Sequence, residues 1–317
     1  MFWLYYCCKI QLMKKYILVS LFALVLAAPA LAQKSEFGGM AGVSFYNGEI
    51  NRKKLFYQPK FAFGAFYRHN FNSHFSTKIC FLYGTVQGAD SLSENVEQIQ
   101  RNLSFKSVVA EFSAQIEINF LPFVAGDTKT RFTPYIFGGF GIFKYNPKAY
   151  VDAGDYVIDG VTYTVDNGGW YALMPLGTEG QGTTAYTDRK KYSLTSFSIP
   201  FGLGMKFNIA SGVGLGLEWG MRPTFTDYLD DVSTTYANPI VLRSEYTDVA
   251  TVLSDRSING STEPNVDRQR GNSTNKDWYS FAVVTLSYTI KTKLPKCAAY
   301  SNKSNNYKRS SDQGQSY

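Results

Sequence analysis

The sequence predicts an all-β fold, namely an eight-stranded antiparallel transmembrane β-barrel with short periplasmic turns and long outside loops. Three observations predict it. Apolar and polar residues alternate with a period of two over segments long enough to cross a bilayer. The connections between these segments alternate in length. Aromatic residues make up 16% of the 317 residues and charged residues 18%, whereas soluble globular chains carry about 25% charged residues.

The alternation is clearest in segment 108–120. Its even-numbered residues, from Val108 through Phe112 to Phe120, are apolar, and its odd-numbered residues include Glu111 and Glu117. This pattern is typical of a strand with one apolar and one polar face. Segments with the same pattern give eight predicted strands: 37–46, 60–69, 76–85, 108–120, 133–145, 195–209, 213–222 and 278–290.

The connections predict how the barrel is oriented. Short turns fall at 70–73 and 210–212, a moderate one at 121–132, and long loops at 47–59, 86–102, 147–192 and 226–276. Outer-membrane barrels have short periplasmic turns and longer outside loops. An even number of strands then places both termini in the periplasm.

The polar faces of these strands predict the content of the lumen. The apolar set must face lipid, so the polar set faces inwards. Inward-facing charged residues are Glu111, Glu117, Glu218, Lys206 and Arg222, extended by Arg68 and Lys78. Eight strands leave room only for side chains, so we expect a plugged lumen with a polar network and no solute pathway. Pro200, inside a predicted strand, indicates a β-bulge.

A soluble β-sandwich is the alternative that also explains alternation. It explains neither the alternating loop lengths nor the aromatic residues near the predicted strand ends. These are Tyr67, Tyr83, Phe143, Tyr145, Trp278 and Tyr288.

The two ends of the chain differ from the rest. A secretory signal peptide is predicted over 1–32 from Lys14 and Lys15, the largely apolar segment 17–28 and the cleavage site Ala30-Leu31-Ala32. Its start codon is expected to be Met13, which places the first residue of the given sequence too far upstream. Residues 33–290 form the predicted barrel, and 291–317 a flexible basic periplasmic tail. The ends carry +3 and +5 of the net +7, which leaves −1 on residues 33–290. We therefore expect no nucleic-acid binding.

No catalytic, cofactor or metal set emerges from the sequence. The two histidines, His69 and His74, flank a short turn and are predicted to be surface residues. Cys80 is predicted to be a free thiol in the lumen, and whether it pairs with Cys297 stays open. The acidic residues Asp227, Asp230 and Asp231 favour a capped turn over a calcium site, because the glycine and glutamate of an EF-hand loop are missing.

Five strings together resemble a known family. They are FYNGEIN (45–51), QRNLSFKS (100–107), RFTPYIFGGFGIFKYNPKA (131–149), SIPFGLGMKF (198–207) and MRPTFTDYLDDVSTTYANP (221–239). The chain resembles the PorG-type outer-membrane barrel component of the type IX secretion system over about residues 36–290. NLSFKS and TDYLDDVSTTY are the most specific pieces. Loops 151–190 and 240–276 carry no recognisable motif.

The resemblance implies a non-enzymatic role. Proteins of this type help anchor a periplasmic ring, built of a lipoprotein and a soluble partner, to the outer membrane, and in some bacteria the system supports gliding motility. Topology restricts contacts with such a ring to the periplasmic turns and the tail. The predicted contact residues are Asn70, Phe71, Asn72, Ser73, Pro122, Asp127, Lys129 and Ser211. The other expected partner is outer-membrane lipid, and the alternative is a generic small barrel with a structural, adhesive or hydrophobic-transport role.

Overall fold

A computed structural model describes residues 34–51, 56–258 and 265–290 of the chain. The predicted signal peptide, the predicted tail and Cys297 lie outside the described residues.

The described residues contain twelve strands. In chain order they are β1 (Lys34–Asn47), β2 (Lys60–Asn70), β3 (Phe75–Ala89), β4 (Ser104–Asn119), β5 (Phe132–Val151), β6 (Gly154–Ile158), β7 (Val161–Val165), β8 (Gly169–Ala172), β9 (Thr195–Ser198), β10 (Phe201–Ala210), β11 (Val213–Pro223) and β12 (Trp278–Ile290).

The main sheet closes into a ring. Antiparallel pairing runs from β10 through β11, β12, β1, β2, β3 and β4 to β5, and β5 pairs back to β10. Both β9 and β10 pair with β5, and together they count as the sixth strand of the ring in chain order. The barrel therefore has eight strands. The predicted antiparallel eight-stranded barrel is confirmed.

Side chains alternate between a packed interior and an apolar outer face. In β4, for example, Glu111 and Glu117 are fully buried whereas Phe112 and Ile116 are more than half exposed. The same alternation runs along the other barrel strands. An outward band of phenylalanine, isoleucine, leucine and tyrosine on a closed sheet is the surface that hydrocarbon requires, so the alternative of a soluble sandwich is wrong.

The predicted bulge at Pro200 is wrong. Ser198 pairs with Gly141 and Phe201 with Gly138, so the register against β5 is the same on both sides of Pro200. Pro200 lacks an N–H but its carbonyl still accepts from Gly139 N at 2.9 Å. One ladder bond is lost without an extra residue. The register shift lies instead between Asn208 and Ala210, beside the short turn.

The long loops at one end of the barrel fold into a cap. The cap contains the β6–β7 hairpin, the edge strand β8 and four short helices. The helices are α1 (Val96–Arg101), α2 (Leu173–Leu176), α3 (Pro239–Glu245) and α4 (Asp248–Ser254). Within the described residues, none of the helices has the length and apolar character needed to cross a membrane.

The cap has its own apolar core, which continues into the barrel. Leu229, Val232 and Leu253 from the last loop are buried together with Leu173 and Tyr163 from the loop after β5. Packing of this kind requires the loops to hold one arrangement, because a well-packed interior leaves few alternatives of equal density.

Candidate functional site

The lumen is filled by side chains of opposite charge. Glu117 forms ion pairs with three cationic side chains. Its carboxylate lies 2.7 Å from Arg68 Nε, 3.3 Å from Lys78 Nζ and 2.5 Å from Lys206 Nζ. Each of these side chains is at most 4% exposed. One carboxylate of β4 thus contacts side chains from three other strands, β2, β3 and β10.

Two more carboxylates complete this layer. Lys78 Nζ also lies 2.5 Å from Glu218, which accepts a hydrogen bond from Tyr135 Oη at 2.7 Å. Arg68 lies 3.4 Å from Glu36. The layer therefore joins residues from β1, β2, β3, β4, β5, β10 and β11.

A second layer lies nearer the cap. Arg222 Nε is 3.2 Å from Glu111, and Tyr279 Oη donates to the same carboxylate at 2.7 Å. Cys80 is buried with a free thiol, and its Sγ lies 3.1 Å from Ser113 Oγ. The five charged residues predicted for the lumen thus all lie inside the barrel, and the structure adds Glu36 to them.

The lumen charges balance. Four carboxylates, of Glu36, Glu111, Glu117 and Glu218, face four cations, of Arg68, Lys78, Lys206 and Arg222. Burying an ion is costly unless it is paired. Equal numbers among the described residues allow every one of these groups to stay charged while it is buried.

The short-turn end of the barrel is closed by the loop between β4 and β5. Phe123 and Ala125 of this loop are 4% and 2% exposed. Asn208 Nδ2 donates to three carbonyl oxygens of the loop, at 2.6–3.0 Å. The loop is therefore held in place by β10, the strand that pairs with β5 next to it.

The same loop connects the three turns that contain the predicted partner contacts. Phe123 N donates to Ser73 O at 3.0 Å, and Gly212 N donates to Gly126 O at 3.2 Å. Gly126 has a φ of +70°, and an added Cβ there would lie 2.8 Å from Gly212 Cα, so glycine permits this close approach. We call the surface formed by residues 70–73, 121–130 and 210–212 the turn platform.

Most predicted contact residues lie on the turn platform with exposed or half-buried side chains: Phe71, Asn72, Ser73, Pro122, Asp127, Lys129 and Ser211. Asn70 differs and cannot serve as a contact. Its side chain is buried, donates to Glu36 at 2.8 Å and accepts from Ser76 Oγ at 2.8 Å. Asn70 is the last residue of β2, and its side chain points inwards. The predicted strand 60–69 stopped one residue before it.

At the opposite end, Glu179 organises the cap. Its carboxylate accepts from Ser233 N at 2.9 Å, from Thr234 N at 3.1 Å and from Arg270 Nη1 at 3.0 Å. Arg270 also donates to carbonyl oxygens of Ser254 and Asp231. This carboxylate thus ties the string TDYLDDVSTTY to two other loop segments.

The acidic residues of that string are buried inside the cap. Tyr46 Oη contacts both the Asp230 carboxylate and, at 3.0 Å, that of Asp277. The Tyr46 hydroxyl donates its one proton to only one of the two carboxylates, so the arrangement favours the protonated form of the other aspartate. Burial raises the pKa of both aspartates well above the usual range. Burial also raises the pKa of Asp231 to about 6 and of Asp227 to about 7.

No group of three or more His, Cys, Asp or Glu side chains is placed to hold a metal ion in residues 34–51, 56–258 and 265–290. Asp230 accepts from Val232 N at 3.0 Å, which is the capped turn that the sequence favoured.

The other specific string, NLSFKS, forms the base of the cap. Asn102 ends α1 in the left-handed conformation. Leu103 is buried, and its N–H donates to Asp90, whose carboxylate also holds Arg101 at 2.7 Å. A cavity of about 690 Å³ opens beside this segment. Its lining includes the polar residues Glu97, Gln98, Arg101, Tyr236, Ser257 and Gln269.

Two aromatic residues lie where the sequence did not place them. Tyr67, Tyr83 and Tyr288 face outwards, but Phe143 and Tyr145 are 1% exposed and point into the barrel. The strand β5 continues beyond the bilayer to Val151, so these rings pack beneath the cap instead of lying in an interfacial belt.

Glu36, Tyr135, Tyr279, Glu179 and Arg270 are site residues that sequence reasoning missed. The first three occupy inward positions of strands, so the period-two pattern could have found them. Glu179 and Arg270 lie in loops, where no periodicity marks which residues meet.

The profile of a family described as "Domain of unknown function (DUF6089)" matches residues 15–167, slightly less than half of the chain. No curated protein matches. None of these findings bears on the resemblance to the secretion-system family, which stays a prediction.

Three solved structures are similar in architecture. OprG of Pseudomonas aeruginosa has 8% identity and a TM-score of 0.35, covering 82% of this chain and 97% of that one. Neisserial surface protein A has 6% identity and a TM-score of 0.34, covering 81% and 96%. Ail of Yersinia pestis, in complex with the heparin analogue sucrose octasulfate, has 10% identity and a TM-score of 0.33, covering 81% and 97%. At these scores the assignment depends on this chain itself: its closed antiparallel ring and apolar outer face define a small outer-membrane β-barrel protein.

Proposed function

We propose that this chain is a non-enzymatic outer-membrane barrel that conducts no solute and works through its surfaces, as a structural or binding component of the membrane. The charge-balanced lumen carries this proposal. Four buried carboxylates and four buried cations pair across the barrel, and a loop and a folded cap cover the two ends.

The same observation argues against the transport role within the generic-barrel alternative. A hydrophobic solute needs an apolar path, and this path would have to cross two layers of paired ions. Separating one buried partner from its pair costs about 3–5 kcal/mol. A structural or adhesive role requires no such opening.

Conductance of the purified barrel tests the proposal. We expect no unit conductance steps in planar bilayers and no ion leak from liposomes that contain the full chain. An open porin reconstituted in the same lipid is the matched positive control. Steady conductance steps from the wild-type barrel would contradict the proposal.

As a second candidate, we propose the secretion-machine anchor that the resemblance implies, with the turn platform as the surface for the periplasmic ring. The continuity of the platform favours it, because backbone hydrogen bonds join all three turns. Exposed apolar side chains, Leu121 at 47% and Val124 at 36%, lie beside Lys129 on this surface. Both termini share this periplasmic side in the proposal.

The anchor role is tested by altering the platform without touching the barrel. We expect the double variant Lys129→Glu, Ser211→Arg to lose co-purification of the ring lipoprotein and its soluble partner. The single variant Lys190→Glu, an exposed lysine of the long loop after β5, is the control. A gene deletion should in addition remove exported proteins from the medium and accumulate them in the periplasm. If the set of exported proteins in the medium is unchanged after deletion, the anchor role is contradicted. The proposal of a sealed barrel would not be affected.

A further inference from the structure

Three lysines cluster on the outward face of β4 and β5 at the cap end of the barrel. Lys106 of β4 lies directly opposite Lys148 of β5, and both are exposed. Lys144 lies on the same face of β5, opposite Ala110 of β4 and Thr195 of β9. We call these three residues the lysine patch.

The lysine patch begins where the apolar band ends. The outward row formed by Phe112, Ile142 and Phe197 is apolar, with exposures of 53%, 43% and 63%. Lys144 is the next outward residue of β5 after Ile142. Lys144 therefore lies next to the hydrocarbon surface, at the level of the lipid headgroups, and Lys106 and Lys148 lie further out along the strands.

The three lysines have no ion-pair partner among the described residues. Within the part of the chain that the structure describes, none of the ion pairs involves Lys106, Lys144 or Lys148. Like charges directly opposite each other on paired strands are destabilising. Keeping Lys106 and Lys148 opposite each other thus carries a cost that an external anion would remove.

Neighbouring side chains extend the patch. Lys106 Nζ lies 5.5 Å from the ring centre of Trp170, which is 53% exposed and packs edge-on against Tyr150. Arg256 donates to Ser104 Oγ at 3.1 Å and to Tyr150 O at 3.2 Å, which brings a fourth cation to the outer border of the patch. Tryptophan and tyrosine rings are favoured at headgroup depth.

We infer that the lysine patch binds a multiply phosphorylated glycolipid of the outer leaflet through its phosphate groups. The inference rests on the proposed function in one respect, namely that the cap end faces outwards. Phosphate is the anion that lysine pairs with through charge-assisted hydrogen bonds. Phosphates on a lipid would meet the patch without leaving the membrane, since Lys144 borders the hydrocarbon surface.

The dimensions of the patch favour more than one phosphate. Lys144 and Lys148 are four residues apart on one strand, which is about 13 Å at 3.3–3.4 Å per residue. Lys106 and Lys148 are separated by one strand spacing of about 5 Å. A single phosphate contacts only one end of this patch, whereas a headgroup with phosphates on two sugars reaches both.

Native mass spectrometry of the full-length barrel in detergent micelles tests the inference. The probes are a bis-phosphorylated lipid A, the same lipid without its phosphates, and phosphatidylglycerol. We expect the bis-phosphorylated lipid to be retained best. The variant Lys106→Gln, Lys148→Gln should weaken its retention at least about tenfold, the effect of losing charged hydrogen bonds.

The variant Arg131→Gln, Lys276→Gln is the matched control, because it removes two exposed positive charges outside the lysine patch. Equal retention of phosphorylated and dephosphorylated lipid A would overturn the inference, and so would unchanged retention by the Lys106/Lys148 variant that still migrates as a folded barrel. Better retention of phosphatidylglycerol would overturn the glycolipid assignment. The proposed function is tested separately. Conductance of the wild-type barrel would contradict the proposed function without changing these lipid results.

Discussion

At the residue scale, Glu117 is the most heavily used side chain of the lumen. It is fully buried and contacts Arg68, Lys78 and Lys206. Buried ion pairs contribute little compared with well-packed apolar residues, but removal of one partner leaves the other charge unpaired. The importance of Glu117 therefore lies in the three cations that depend on it.

We expect Glu117→Gln to destabilise the barrel by about 3–5 kcal/mol, because three buried cations lose their shared counter-charge. Urea unfolding in micelles, followed by tryptophan fluorescence and by gel mobility without heating, measures the change.

The double variant Glu117→Gln, Lys206→Met is the control, since it restores the balance of charge. It should be more stable than Glu117→Gln alone, and the double-mutant cycle isolates the coupling. Additive effects of the two substitutions would contradict a shared network.

At the element scale, β5 decides how the barrel and the cap are joined. This strand has 20 residues, about twice what a tilted span needs. Its inner part pairs with β4 and β10, and its outer part pairs with β4 and β8. The extension carries Phe143 and Tyr145 beneath the cap, so the loops fold on a rigid base.

The cap is expected to lose stability as the pH rises. Burial raises the folded-state pKa of Asp231 to about 6 and of Asp227 to about 7, compared with about 3.9 in an unfolded chain. The folded cap thus binds more protons than the unfolded cap, so its stability is greatest below about pH 4 and falls as the pH rises towards 7. Asp230 and Asp277, whose pKa values are raised further by burial, extend the decline to higher pH.

Hydrogen exchange of the backbone amides of segment 227–236, corrected for the intrinsic rate at each pH, measures this effect. Asp227→Asn should flatten the upper part of the profile, and Asp188→Asn, at an exposed position, should leave it unchanged. A cap that becomes more protected between pH 4 and 7 would contradict the prediction.

At the scale of the whole molecule, ring closure by eight strands determines where the ends of the chain lie. The strands β1 and β12 are adjacent, and Ser35 pairs with Ile290. The first and last barrel residues therefore lie together on the turn-platform side.

We expect a protease site inserted at the exposed turn Asp159-Gly160 of the cap to be cleaved on intact cells. A tag placed after Tyr317 should be protected until the outer membrane is opened. The same two insertions in permeabilised cells are the control. Cleavage of the terminal tag on intact cells would reverse the orientation and place the cap in the periplasm.

The sequence determined the barrel because its chemistry is local and periodic. The alternation along 108–120, 195–209 and 213–222 specifies which side chains face lipid, and it put Glu111, Glu117, Glu218, Lys206 and Arg222 on the inward face. The positions of the turns follow from the same pattern. Pro200 was misread because a missing N–H does not by itself add a residue to a strand.

Only the tertiary structure decided what those faces and loops do. Contacts such as Glu179 with Arg270, or Tyr46 with Asp230 and Asp277, join residues up to 231 positions apart, and no periodicity encodes them. The register of β4 against β5 brought Lys106 opposite Lys148. Pairing across a sheet is set by the summed packing of both strands, so sequence spacing alone does not reveal it.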